Sequence, residues 1–93
     1  VAVSSDEVTA IERQIAALEK KLKEVRASAA TQSSILGPIR EAAIQGARAE
    51  KFRELKVQLV RAALANPQGL TPSQIAEAAD ISRQALYQRP YKD

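Results

Sequence analysis

With no histidine and no cysteine among its 93 residues, the chain is left with carboxylates, cations, hydroxyls and amides for chemistry. That inventory excludes imidazole general-base catalysis, thiol nucleophiles, disulfides and ordinary zinc sites. No paired carboxylates stand beside a recognisable pocket, and no glycine-rich phosphate loop is present. The expectation is a chain with no catalytic residues, no metal, no cofactor and no small-molecule substrate. What remains is recognition of a partner by charge and hydrogen bonding. The charge is placed unevenly: residues 1–30 carry five acids and five bases, and residues 66–93 three of each. Residues 31–65 hold the whole excess, with Arg40, Arg48, Lys51, Arg53, Lys56 and Arg61 against Glu41, Glu50 and Glu54. A net charge of +3 suits a polyanion such as nucleic acid, and suits a solvated helix face equally well.

The elements that must position such groups are short of bulk. Alanine supplies 18 residues and aromatics only three, so helices can approach closely but bury little area each. A large core with a deep substrate pocket is not expected. No apolar run approaches the roughly 20 residues that span a bilayer. The first thirty residues are too charged for a secretory signal. A soluble, cytoplasmic protein is therefore expected, and Val1 in place of an initiator methionine suggests processing or trimming.

The first segment, residues 5–31, reads as one helix about 40 Å long. Ser4 and Glu7 form a capping-box pattern, with Asp6 and Glu7 in the first turn. Val8, Ile11, Ile15, Leu18, Leu22 and Val25 then recur at spacings of 3 and 4 with no glycine or proline between them. This is a heptad seam, and one narrow stripe needs a partner helix. The front of the helix is acidic (Asp6, Glu7, Glu12) and the back basic (Lys20, Lys21, Lys23, Arg26). An antiparallel partner places acid beside base, each exposed contact contributing a few tenths of a kcal/mol, roughly. The partner is either a second chain or the chain's own second helix.

A second helix is expected over residues 38–65, with Pro38 in its first turn. Its first half is alanine-rich, and Gly46 marks either a close helix crossing or a weak point. Its second half offers Phe52, Leu55, Leu59, Val60, Ala63 and Leu64 as an apolar face. Asn66, Pro67, Gln68 and Gly69 then make a turn. Beyond it, Thr71 caps a short helix with Pro72 at its first position and Gln74 completing the box. Asp80 stands where a left-handed residue would end that helix. Ser82 caps a further helix expected over residues 83–89, with Pro90 just past it. Two short helices, a tight turn and apolar residues at Ile75, Ala79, Ile81 and Leu86 make a helix-turn-helix. Ala76 lets the two helices pack, and Phe52, Leu55, Leu59 and Leu64 supply the third wall.

The run LTPSQIAEAADISRQALYQRP resembles the helix-turn-helix of bacterial and phage DNA-binding domains, in the style of TetR-like, resolvase-like and repressor-like regulators. The resemblance covers about residues 50–90 and does not reach the heptad segment. Asp80 departs from the pattern, because that turn position is usually glycine. Aspartate tolerates the left-handed conformation, and it adds negative charge near the DNA-facing side. The resemblance implies that the second helix of the motif enters the major groove. Its outward residues are then Ser82, Arg83, Gln84, Tyr87 and Gln88. Arg83 would make a two-pronged contact with guanine, and Gln84 or Gln88 would pair with adenine. Thr71, Ser73, Tyr87, Arg89 and Lys92 would be candidates for phosphate contacts. Plainer readings stand beside these. Tyr87 could equally cover the edge of the motif, Tyr91 reads as a packing residue and Glu77 as solvent-facing. Arg48, Lys51 and Lys56 read more readily as a solvated face than as contacts to flanking phosphates.

The sequence thus predicts an all-α protein: a long N-terminal coiled-coil helix plus a C-terminal trihelical helix-turn-helix. Residues 1–32 form the oligomerisation helix, residues 33–49 a loop and the start of a linking helix, and residues 50–93 the DNA-binding domain. The expected partners are double-stranded DNA and a second copy of the chain, as a homodimer or higher oligomer located on the nucleoid. The expected function is that of a transcriptional regulator or nucleoid-associated protein acting by occupancy. The alternative is a structural or adaptor protein whose coiled coil recruits a protein partner.

Overall fold

The computed structural model describes residues 5–92 and is helical throughout its regular elements. The chain order is α1 (Ser5–Arg26), α2 (Gln32–Gln45), α3 (Glu50–Ala65), α4 (Pro72–Ala78) and a single 3-10 turn (Gln84–Tyr87). The expected pairing of Ser4 with Glu7 lies outside the described residues. Among those described, no helix is long and apolar enough to cross a membrane.

Helix α1 stops earlier than residue 31. Ser28 takes a left-handed conformation (φ 58°), and two hydrogen bonds close the end: Ser28 N to Val25 O and Ala29 N to Glu24 O. These are the paired bonds of a Schellman motif, which satisfy the last orphan carbonyls. The chain turns there and re-enters a helix at once, because Thr31 Oγ1 accepts from Ser34 N at 3.3 Å.

The expected single helix over residues 38–65 is two helices. Helix α2 begins six residues before Pro38 and carries that proline inside it. The proline forgoes one backbone hydrogen bond and disfavours helix before it. Burial offsets this cost, since Ile35, Pro38, Ile39 and Ala42 line one face and are buried. The region expected as loop and helix start, residues 33–49, is therefore largely a core helix. The break falls after Gly46, and Ala49 is extended (φ −157°, ψ 140°) with no side-chain cap. Small residues on both sides of the break have little area to hold a straight helix together. The break lets α3 fold back onto α2, the most extensive helix–helix contact among the described residues.

Helix α3 is the centre of the fold. Phe52, Leu55, Leu59, Val60, Ala62 and Ala63 are buried, and α3 touches α1, α2 and α4. The partner of the heptad seam is thus within the chain for half its length: Leu18, Leu22 and Val25 are buried in the same core as Phe52 and Leu59. Ile11 and Ile15 are partly buried, and Val8 is 43% exposed. At about 1.5 Å per residue, α1 runs roughly 33 Å against roughly 24 Å for α3, so it outruns its support. Residues 6–10 are all exposed.

The C-terminal ends of α1 and α3 meet through their following loops. Ser28 Oγ donates to Asn66 Oδ1 at 2.7 Å, Gln68 Nε2 donates to Ser28 O, and Gln32 Nε2 donates to Gln68 O. The turn between α3 and α4 closes with Leu70 N on Pro67 O at 2.9 Å. Both of its central residues have positive φ, Gln68 at 50° and Gly69 at 89°. This is the backbone of a type I′ turn, which explains glycine at the second central position.

Candidate nucleic-acid interface

The segment from Thr71 to Ile81 forms as its residue types dictate. Thr71 Oγ1 accepts from Gln74 N at 3.2 Å, and Gln74 Oε1 accepts in return from Thr71 N at 2.9 Å. Pro72 occupies the first turn, where its missing N–H costs nothing. Helix α4 then runs for 7 residues, with Ile75, Ala76 and Ala78 buried. It ends in a second Schellman motif: Asp80 N donates to Glu77 O at 3.1 Å and Ile81 N to Ala76 O at 3.0 Å. Asp80 is left-handed (φ 57°). Lys56 Nζ donates to Ala79 O at 3.3 Å, placing a cation at the negative end of α4.

The element after the turn differs from expectation. No α-helix forms over residues 83–89; Gln84–Tyr87 make one 3-10 turn, and Gln88 is extended (φ −122°, ψ 159°). Two constraints leave no room for more. Ser82 fixes the start, its Oγ accepting from Ala85 N at 3.2 Å. Pro90 disfavours helical backbone at Arg89. The few residues between are too short to nucleate an α-helix. The buried Leu86 anchors the turn in the core.

All nine residues expected to face DNA are exposed: Thr71, Ser73, Ser82, Arg83, Gln84, Tyr87, Gln88, Arg89 and Lys92. Three of them, Ser73, Ser82 and Arg83, meet around one open depression of about 540 Å³, together with Ala76, Glu77, Asp80 and Ile81. Gln84 and Tyr87 stand three residues apart on the 3-10 turn and so share a face. Tyr87 is 54% exposed, and Lys92 Nζ lies 5.9 Å from its ring centroid, within cation–π range. Thr71 is different, because its hydroxyl is engaged in the cap of α4. Tyr91 packs against the core and Glu77 is exposed, as their residue types suggested.

The basic residues of α3 and of the loop before it are mostly engaged within the chain. Lys51 pairs with Glu54 at 3.8 Å, Arg48 Nη1 donates to Gln45 Oε1, and Lys56 holds the end of α4. Sequence reasoning missed the place of Arg53, whose Cγ lies 3.2 Å from where a Cβ on Gly46 would sit. An isolated arginine on a charged helix face gives no sign of such a neighbour; Gly46 was the only hint.

Asp80 sits at the depression with an unfavourable backbone conformation and a charge at the wrong end of α4. Asp80→Gly should therefore raise stability by on the order of 0.5–1 kcal/mol, read as a higher denaturation midpoint in urea. Asp80→Asn should recover only the charge-dependent part. A loss of stability in Asp80→Gly would mean that the aspartate side chain itself holds the turn.

No protein-family model matches the chain, and no curated protein or solved structure is significantly similar to it.

Proposed function

We propose that the chain binds double-stranded DNA with a sequence preference, as a small transcriptional regulator or nucleoid-associated protein. One observation carries the reading: the capped start of α4 and the Ser82–Arg83 corner converge on one open depression, with Ser73, Ser82 and Arg83 at its rim. Phosphate contacts come from Ser73, Arg89 and Lys92, and base-edge contacts from Arg83 and Gln84. The 3-10 turn changes how the reader works. Four residues at about 2 Å rise span roughly 8 Å. The major groove is about 12 Å wide, so the corner enters end-on instead of lying along the groove. Such a reader touches few bases, and affinity comes from repetition of the unit. The exposed start of α1, with Val8 beside Ile11 and Ile15, is the surface for pairing with a second copy. The site of action under this reading is the cytoplasmic nucleoid, and the mechanism is occupancy without chemistry.

A protein partner is the second reading, an adaptor recruited through α1; it is favoured by the exposure of Val8 on an otherwise continuous seam. The two readings separate on selected DNA. Duplexes enriched from a random pool by the wild-type chain should lose about 1–3 kcal/mol of affinity with Arg83→Ala, and unselected duplexes less. Equal affinity of the two proteins for the enriched duplex would remove Arg83 from recognition and favour the adaptor.

A further inference from the structure

Two further depressions lie beside the one at Arg83. They adjoin at Ala43. One, of about 300 Å³, is lined by Ala42, Ala43, Gly46, Ala47, Arg53 and Lys56. The other, of about 270 Å³, carries Arg40 and Ile44 from α2 and reaches Glu77 and Asp80, which also line the depression at Arg83. The three depressions thus share lining residues in sequence, Ala43 joining the first pair and Glu77 with Asp80 the second, from Arg53 to Arg83. The floor on the α2 side is alanine and glycine, so an occupant can come close to the backbone. The rim holds three cations from two helices, Arg40, Arg53 and Lys56, with the carboxylates of Glu77 and Asp80 at the end toward Arg83. Among the described residues, no carboxylate stands within ion-pair distance of Arg40, Arg53 or Lys56. Gly46 leaves room for the Arg53 stem, since a Cβ there would lie 3.2 Å from Arg53 Cγ.

We propose that Arg40, Arg53 and Lys56 form a phosphodiester-binding site that contacts the backbone of duplex DNA flanking the bases met by Arg83. The inference rests on the DNA reading above. It assigns the basic excess of the middle segment a place: Arg40 and Arg53 are free to bind, whereas Arg48 and Lys51 are engaged with Gln45 and Glu54. Backbone contacts carry no base information, so this site sets affinity and salt dependence while the Arg83 corner sets preference.

The test is the salt dependence of duplex binding, followed by fluorescence anisotropy. Removing one cation from a phosphate should lower the slope of log K against log salt by about 0.9. Arg40→Gln/Arg53→Gln should therefore flatten the slope by about 2 and weaken all duplex sequences alike. Lys56 stays intact in this variant because it also holds α4. Arg40→Lys/Arg53→Lys should restore the slope. Arg13→Gln/Lys20→Gln, an equal charge change on the exposed side of α1, should leave it unchanged. Inorganic phosphate at matched ionic strength should displace DNA no better than chloride. An unchanged slope in the glutamine variant, or an equal fall in the α1 control, overturns the second site and leaves the DNA reading standing. Selective displacement by inorganic phosphate makes the pocket a free-anion site and overturns the duplex assignment. No salt-sensitive duplex binding by the wild type overturns both.

Discussion

Phe52→Ala should destabilise the chain by about 3–5 kcal/mol. Phe52 is the only phenylalanine, it is fully buried, and it sits in the first turn of the helix that touches α1, α2 and α4. The core around it is built largely from alanine and single leucines, which have little freedom to close a cavity of that size. A domain of this length has a total stability of roughly 5–15 kcal/mol, so the loss is a large share of the whole. Urea denaturation followed by circular dichroism reads it as a fall in midpoint at an unchanged slope. A loss below about 1 kcal/mol would mean that α3 is not the shared wall of the fold.

Leu22→Ala is the second large effect, at about 2–5 kcal/mol, and its concentration dependence is the informative part. Leu22 is buried in the chain's own core with Leu18 and Val25. The loss should therefore be the same in dilute and concentrated protein. If the seam closed only between chains, stability would rise with protein concentration and the variant would act by dissociation. Val8→Ala is the matched comparison. Val8 is exposed, so the stability of the single chain should move by less than about 0.5 kcal/mol. Any shift in self-association, read by sedimentation, belongs to this end of α1.

Much of the local structure was legible because single side chains decide it. The Thr71–Gln74 box and the left-handed Asp80 each follow from one residue's hydrogen-bonding or backbone preference, and each forms. The Ser82 hydroxyl accepts from Ala85 N, but the helix expected after it is replaced by the 3-10 turn Gln84–Tyr87. The 3.5-residue spacing of α1 fixes which face is apolar, but a seam looks the same whether it meets another chain or the chain's own α3. Only the core as a whole decides that. The segment around Pro38 misled for a related reason. A proline is at home in a first turn, and here the burial of Ile35 and Ile39 carries the helix through it instead. The break at Gly46 is equally silent, since alanine on both sides leaves no periodicity to interrupt. The 3-10 turn is the most consequential difference. The residue types after Ser82 suit a helix, but the space between that cap and Pro90 does not. The candidate residues remain exposed, but they are not arranged along one α-helix.

Whether the corner formed by Ser82, Arg83 and Gln84 meets duplex DNA is open to direct measurement. Fluorescence anisotropy with a mixed-sequence duplex, at low and at moderate salt, compares the wild type with Arg83→Ala/Gln84→Ala. The expected result is salt-sensitive binding by the wild type and clearly weaker binding by the double variant, with both proteins equally folded. No binding by the wild type even at low salt, or equal binding by the two proteins, would contradict a DNA reader at this corner.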